Sequence, residues 1–451
     1  MNSRELRASI GLSGIYGLRM LGMFVILPVF AIYAEHLPGG NNLTLVGIAI
    51  GAYGLTQAML QIPFGWWSDR YGRKPVIYAG LVLFALGSFV AAFGQHILVV
   101  IAGRVLQGMG AISAAVMALA ADLTRDQHRT KAMAMIGSTI GVTFAASLAA
   151  SPWLNHVIGV PGIFAMTGLL ALAAIIVVRR VIPDVPEPAP PRSQHAASQF
   201  RRVLGDTQLL RLNFGIMALH AALMALFIAV PFALRSAGLD VASHWQVYLP
   251  VMLGSFVLML PAVLGARKAG QMKAVFVGSV ALLLAGYLAM PWLMGDVWLI
   301  ALFLLLFFTS FNVLEASLPS LISRMAPPDA KGTAIGVYSS IQFFGSFLGA
   351  AGGGFLYQHW GSTGVVGFGA TLLAVWLVLA LGMKVPATLS TRIYTIPELD
   401  RERVDCLQAE LQTLPGVRKA RVVAAERAAY LEVDSAAFDE QNVLKLIAGG
   451  T

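Results

Sequence analysis

Gly65-Trp66-Trp67-Ser68-Asp69-Arg70-Tyr71-Gly72-Arg73-Lys74 separates two long apolar runs, one ending Gln61-Ile62-Pro63-Phe64 and one beginning Pro75-Val76-Ile77. A long loop disperses its charges in water, whereas a turn this short must place them. Asp69, Arg70, Arg73 and Lys74 therefore mark the edge of two membrane spans rather than a domain. The composition outside the turn agrees. The 451 residues are 57% hydrophobic and only 12% charged, with a mean hydropathy of +0.75. Soluble domains carry about 25% charged residues. The net charge of +9 falls in short loops rather than on one face, which is a topology signal and not a nucleic-acid surface. Cys406, the single cysteine, excludes an internal disulfide and a cysteine-rich metal site. No metal or other cofactor is expected beyond a proton gradient. The first apolar run, residues 10–34, is too long for a signal-peptide core and lacks a small-residue cleavage site, so it is expected to be retained.

Apolar runs of roughly 20 residues, the length that spans a bilayer, centre near Met23, Gly54, Leu86, Gly110, Thr143 and Leu170. Six more centre near Met224, Phe256, Leu283, Phe307, Gly345 and Val375, making twelve spans. Alternate loops are basic: Arg4 and Arg7; Arg70, Arg73 and Lys74; Arg125, Arg129 and Lys131; Arg179, Arg180, Arg201 and Arg202; Arg267, Lys268 and Lys273; Arg324 and Lys331. The others hold Arg235 and histidines. Basic loops stay in the cytoplasm, so both termini are expected there. A proline-rich stretch divides the spans into six and six. Ile26-Leu27-Pro28-Val29-Phe30-Ala31 is echoed by Ala229-Val230-Pro231-Phe232-Ala233, and Lys131-Ala132-Met133-Ala134 by Lys331-Gly332-Thr333-Ala334. Parallel repeats of this kind place a site at their interface near mid-membrane. The expected domains are a six-helix half at 1–182, a linker at 183–208, a second half at 209–386 and a cytoplasmic tail at 387–451. The tail reads as a small α+β domain of order βαββα: a strand at Arg392–Ile396, a helix at Asp400–Leu414 stopped by Pro415-Gly416, paired strands at 417–424 and 428–433, and a last helix around Val443–Ile447.

Two groups of residues invite a functional reading. In the turn, Gly65, Asp69, Arg70, Gly72, Arg73 and Lys74, with Asp122, are the expected gating charge cluster, and Gly65 lets another helix approach. Asp69 is placed to meet the N-terminus of the eleventh helix near Gly332. Arg73 is placed to pair with Asp122 at the end of the fourth span, and Gly72 permits the turn. Solvated loop charges serving orientation alone would need neither Asp69 nor the glycines. Inside the spans the ionisable residues are Arg19, Arg104, His220 and Glu315. A charge at mid-bilayer costs at least about 2.5–3.5 kcal/mol on insertion scales and faces a cavity or partner. At 1.5 Å per residue Arg19, His220 and Glu315 each lie roughly 12–15 Å from the basic end, while Arg104 lies nearer the other. An acid withdrawn from water can exchange a proton at physiological pH, and histidine titrates there unaided. Glu315, with His220 and with Arg19 as counter-charge, is the candidate proton-coupling set; a structural Arg19–Glu315 ion pair and a satisfied core histidine are the alternatives. Arg104 and Gln107 share a helix face, with Gly108 and Gly110 suited to close packing. Phe24, Phe144, Phe227 and Phe311, with several methionines, read first as core or lipid-facing residues.

Gly65 to Lys74 resembles the loop 2–3 signature of the major facilitator superfamily, and Arg104 to Gly110 its fourth-helix R-x-x-Q-G motif. The fifth span resembles the antiporter signature only loosely, with Ser151-Pro152 where Gly-Pro is usual. Twelve spans, a central linker and a ferredoxin-like (YAM-like) tail resemble the YajR-type bacterial efflux transporters, and Leu18–Phe24 and Gly51–Gln57 strengthen the match. The resemblance implies an all-α major facilitator fold in a bacterial inner membrane. It implies proton-driven antiport of small amphipathic or drug-like compounds, with helices 1, 4, 7 and 10 lining the cavity. It also implies that Asp69, Arg73 and Asp122 form an interdomain cluster stabilising the outward-open state. The tail resembles heavy-metal-associated domains in element order but lacks their Cys-x-x-Cys, so metal transport does not follow. The expected partners are a small-molecule substrate, protons and the lipid bilayer. A monomer is expected, with the tail able to associate. A proton-coupled nutrient importer on the same fold, or a membrane sensor whose tail binds a ligand, are the alternative functions. No phosphate-cradling loop or nucleophile elbow suggests an enzyme.

Overall fold

Polar residues start the membrane helices. Asn2 caps the first through a reciprocal pair of 2.8 Å bonds with Glu5, and Asn42, Asp206 and Asp296 cap others, satisfying N–H groups that a helix start leaves open. The computed structural model describes residues 1–184, 196–266, 271–327, 330–384, 389–397, 401–434 and 438–448. The prolines at 186–191 and the basic pair Arg267 and Lys268 lie outside them. In chain order α1 (Ser3–Phe24) and α2 (Leu27–Tyr33) make the first pass, α3 (Leu43–Tyr71) the second and α4 (Arg73–Ala92) the third. α5 (Ile97–Met109) and α6 (Ser113–Asp122) make the fourth. Then come α7 (Asp126–Arg180), α8 (Ala196–Gly205), α9 (Thr207–Ser236), α10 (Trp245–Ala266), α11 (Gln271–Leu293), α12 (Val297–Met325) and α13 (Lys331–Leu381).

Ten helical stretches among the described residues are long and apolar enough to cross a membrane. Two of them are too long for one crossing: α7 has 55 residues, about 80 Å at 1.5 Å per residue against a hydrocarbon core of about 30 Å. α7 breaks at Gly159 and α13 at Gly361, both at positive φ, where a side chain would be strained. The chain reverses there. Gly11 of α1 packs on Val181 and Ile182, while Gly17, further along the same helix, packs on Thr139 and Thr143. Likewise Arg211, near the start of α9, donates to the Gly382 carbonyl, while Thr333 bonds Gln199 of α8 at 3.3 Å. The stretches therefore make twelve passes in two sets of six, as the sequence predicts. The linker expected at 183–208 contains the helix α8.

The first pass is interrupted for a local reason. Pro28 has no N–H to give to the carbonyl one turn before it, and the Val29 N–H turns to Ile26 instead of Val25. The orphaned Val25 carbonyl accepts from the Ser151 hydroxyl of the fifth pass. Ser151, where the antiporter signature has glycine, thus supplies the donor that this break requires.

Contacts group residues 1–260 with 277–383, and 261–276 with 384–451. In the second unit β1 (Leu389–Thr395), α14 (Arg401–Thr413), β2 (Val417–Val423), β3 (Ala428–Asp434) and α15 (Glu440–Ala448) follow the predicted βαββα order. The sheet is antiparallel with strand order β1-β3-β2, aligning Ile393, Tyr430 and Arg421. Leu411 of α14 and Val443 of α15 are fully buried against Ala429, Leu431 and Val433. The first strand starts three residues earlier than its predicted start at Arg392. Gly416, at φ 83, makes the turn after α14.

Candidate functional site

The turn between the second and third passes folds onto the fourth. Gly72 has φ 92, which lets Arg73 start α4 directly after α3 and turn back. Arg73 Nε donates to Asp122 Oδ2 at 3.0 Å, and Nη1 to Ser68 Oγ at 2.8 Å and to Asp69 Oδ1. Gly65 faces Ala114 of α6. The predicted Arg73–Asp122 pair is present. Asp69 meets Arg73 in this form and not the start of α13, and a side chain at Gly332 would find open space. Two members of the expected cluster lie outside it. Arg70 leaves the cluster: its guanidinium lies over the rings of Trp66 and Tyr71, 5.4 and 5.7 Å from their centroids, on the exposed side of α3. Lys74 points elsewhere too, bonding Asp184 at 2.6 Å and the Ile182 carbonyl at 2.7 Å, and the lysine holds the Asp184 carboxyl below its usual range. Glu5, unremarked in the sequence, clamps Arg125 Nε and Nη2 at 2.8 and 3.2 Å. These contacts define a basic face of the bundle.

Arg104 is fully buried without an acid. Its Nε donates to Ala49 O at 3.3 Å, Nη1 to Gly22 O at 3.1 Å and Gln107 Oε1 at 2.8 Å, and Nη2 to Ile50 O at 3.3 Å. Gln107 passes the chain on to Ser88 of α4 at 2.7 Å. One guanidinium thus ties the first, second and fourth passes through their backbones. Gly108 allows the approach, since a side chain there would strike the Tyr53 carbonyl.

Deeper in the bundle two polar clusters face different halves. In the first half Arg19 donates to Ser113 at 2.6 Å and to Gln57, which reaches Gln61 at 2.9 Å. In the second, Gln342 of the eleventh pass contacts His220 Nε2 at 2.9 Å and Glu315 Oε1 at 3.2 Å, and His220 lies 3.9 Å from Glu315 Oε2. The considered Arg19–Glu315 ion pair is replaced by these separate sets. Tyr16, one turn from Arg19, shares Ser113 and lies within electrostatic reach of both Arg19 and Glu315. The Glu315 side chain keeps 28% exposure. Gln57, Ser113 and Gln342 drew no site reading in the sequence, because a neutral amide or hydroxyl at a helical position is unremarkable until its neighbour is known.

An aromatic layer borders these clusters, with Phe24 five residues from Arg19 and Phe311 four from Glu315 along their helices. Phe144 of the fifth pass stands 4.8 Å from Phe24 and 5.8 Å from both Phe308 and Phe311 of the tenth, and the Phe311 ring lies tilted 5.7 Å from that of His220. Phe24, Phe144 and Phe311, which composition alone assigns to bland core, thus join the halves. Beyond the layer, at the far face, Arg235 grips Glu35 through both nitrogens at 2.6 and 2.9 Å. Gln358 takes the Leu43 N–H at 2.6 Å, and Gly354 lies against Leu43 and Gly47. The halves are closed together at the far face.

The Major Facilitator Superfamily profile matches residues 12–350. The Escherichia coli K12 inner membrane transport protein YajR is 43% identical over 436 residues, 96% of each chain. Multidrug resistance protein 2 of Bacillus subtilis is 26% identical, covering 83% of this chain and 96% of its own. A bacterial homologue of the human lysosomal transporter Spinster, solved inward-facing and occupied, superposes with a TM-score of 0.66 at 12% identity over 85% of this chain and 96% of that one. The relatives and fold neighbours are transporters and not enzymes. With twelve passes in two halves, a buried polar centre and these matches, the chain is a multi-pass membrane transporter of the major facilitator superfamily.

Proposed function

We propose that the protein exports small amphipathic compounds from the cytoplasm in exchange for protons, across a bacterial inner membrane, by alternating access. The Gln342–His220–Glu315 cluster carries this reading. It joins the seventh, tenth and eleventh passes at mid-membrane beside a partly exposed carboxyl. Ionised, Glu315 is a strong acceptor for the Gln342 amide; protonated, it is a weaker one, and the eleventh pass is released from the tenth. Proton uptake thereby alters a contact between moving helices. The positive-inside rule assigns the basic face to the cytoplasm, so the far-face closure corresponds to an inward-facing form. In the opposite form Asp69 would reach the start of α13 and the loop cluster would latch the cytoplasmic side. Export is favoured over import by the multidrug-resistance name of one relative, and the inner membrane by the name of another.

Glu315→Gln in proteoliposomes tests the coupling. Uptake of dansylcadaverine into vesicles of known orientation is expected to lose its dependence on an imposed pH gradient. Undiminished gradient-driven transport would remove Glu315 from the mechanism.

A further inference from the structure

We propose that the substrate is a zwitterionic amphipath, with its acidic end on Arg19 and its amine on Glu315. This rests on the transport reading above and names the substrate class for the same centre. Two buried arginines in the first half lack an acidic partner among the described residues, and they are not equivalent. Arg104 spends its nitrogens on Gln107 and on backbone carbonyls of helices packed around it, which cannot withdraw. Arg19, 1% exposed, is held by the side chains of Gln57 and Ser113, and its Nε has no acceptor. Those neutral groups can rotate away. Gln57 has Gln61 to stay with when it does.

A cation out of water gains most from an ionised acceptor, and a guanidinium fork fits the two oxygens of a carboxylate. The centre is therefore built to take an anion it does not itself contain. Across the interface Glu315 is the complementary group, with one oxygen lacking a hydrogen-bond partner. Tyr16 lies within electrostatic reach of both, so the two groups border one region of the centre. A lone anion would sit near an ionised Glu315 and be repelled. A zwitterion matches both charges, and its ammonium competes directly with the proton on Glu315, which is what exchange requires.

The test uses three probes sharing one fluorophore and a similar chain: Nε-dansyl-lysine, a zwitterion; dansylcadaverine, a cation; and N-dansyl-6-aminohexanoate, an anion. Binding to the purified full chain is followed by dansyl fluorescence. The zwitterion is expected to bind at least ~10-fold tighter than either single-charge probe. Arg19→Gln should abolish the preference, bringing the zwitterion to the level of the cation or below. Gln57→Glu, which supplies Arg19 with an internal carboxylate and keeps the buried cation, should do the same. Equal affinity for zwitterion and cation, or an unchanged ratio in Arg19→Gln and Gln57→Glu, would overturn the assignment. Loss of gradient-driven flux with the probe preference intact would count against antiport alone, and the converse against the subsite alone.

Discussion

Arg104 and Arg19 show how little a residue's type says about its task inside a membrane. Both are guanidinium groups at comparable burial, and both read in the sequence as costly charges needing a partner. Arg104 is satisfied by backbone oxygens of two neighbouring helices and by Gln107 on its own, so its role is cohesion. Replacing it with Ala would remove four buried hydrogen bonds and the side chain that fills the space between three passes, a loss of about 2–4 kcal/mol. Arg104→Ala is therefore expected to lower the thermal unfolding temperature of the detergent-solubilised protein markedly, with Arg104→Lys intermediate because one ammonium cannot span three directions. An unaltered melting curve for Arg104→Ala would contradict the cohesive role. The Arg104-Gln107 spacing was legible from helix periodicity. The acceptors were not, because a carbonyl belongs to every residue and only packing selects which one a side chain reaches.

At the scale of elements, the turn between the second and third passes is a junction of three helix ends. Arg73 holds Asp69 at the end of α3 and Asp122 at the end of α6 while itself starting α4. Its pairing with Asp122 was readable from position, since both residues end spans on the same face. The destination of Asp69 was not, because it depends on which way the halves are tilted. Asp122→Asn removes the ionic tie inside the first half, and Asp69→Asn also removes the group proposed to meet the eleventh helix in the other form. Asp69→Asn is expected to enrich the inward-facing form, and Asp122→Asn to do so less. Cys406 is the single cysteine, so a Cys406→Ser background permits site-specific labels at either face. Unchanged label accessibility in Asp69→Asn would show that the turn fixes topology and does not latch. The tail was the most legible element, because alternation and turn residues set short strands locally. The hairpins at Gly159 and Gly361 were equally readable in outline, since a run of fifty apolar residues cannot cross once.

For the whole molecule the balance between forms depends on what closes each face. Glu35 and Arg235 are 200 positions apart in the chain and occupy corresponding ends of the first and seventh passes, where Ile26–Ala31 and Ala229–Ala233 echo each other. In the sequence Arg235 stood out only as a lone basic residue among the non-basic loops, and Glu35 drew no reading. Together they make a bidentate pair across the two halves, beside the Gln358 contact and the close crossing of the second and eleventh passes. At half exposure such a pair contributes only about 0–1 kcal/mol to folding. Its leverage lies in selection, because only the form closed at the far face contains it and a shift of 1.4 kcal/mol changes a population ratio tenfold. Glu35→Gln should therefore increase far-face accessibility severalfold without lowering the melting temperature appreciably. Arg235→Glu alone should do so more strongly, since it sets two acids against each other. Combining Arg235→Glu with Glu35→Arg restores an attractive pair and should return the distribution toward that of the native chain. Distances between spin labels placed on the far ends of the first and seventh passes would report this directly. If the exchanged pair behaved like Arg235→Glu alone, geometry other than charge would be holding the far face shut, and the crossing at Gly47 and Gly354 would be left as the closing contact.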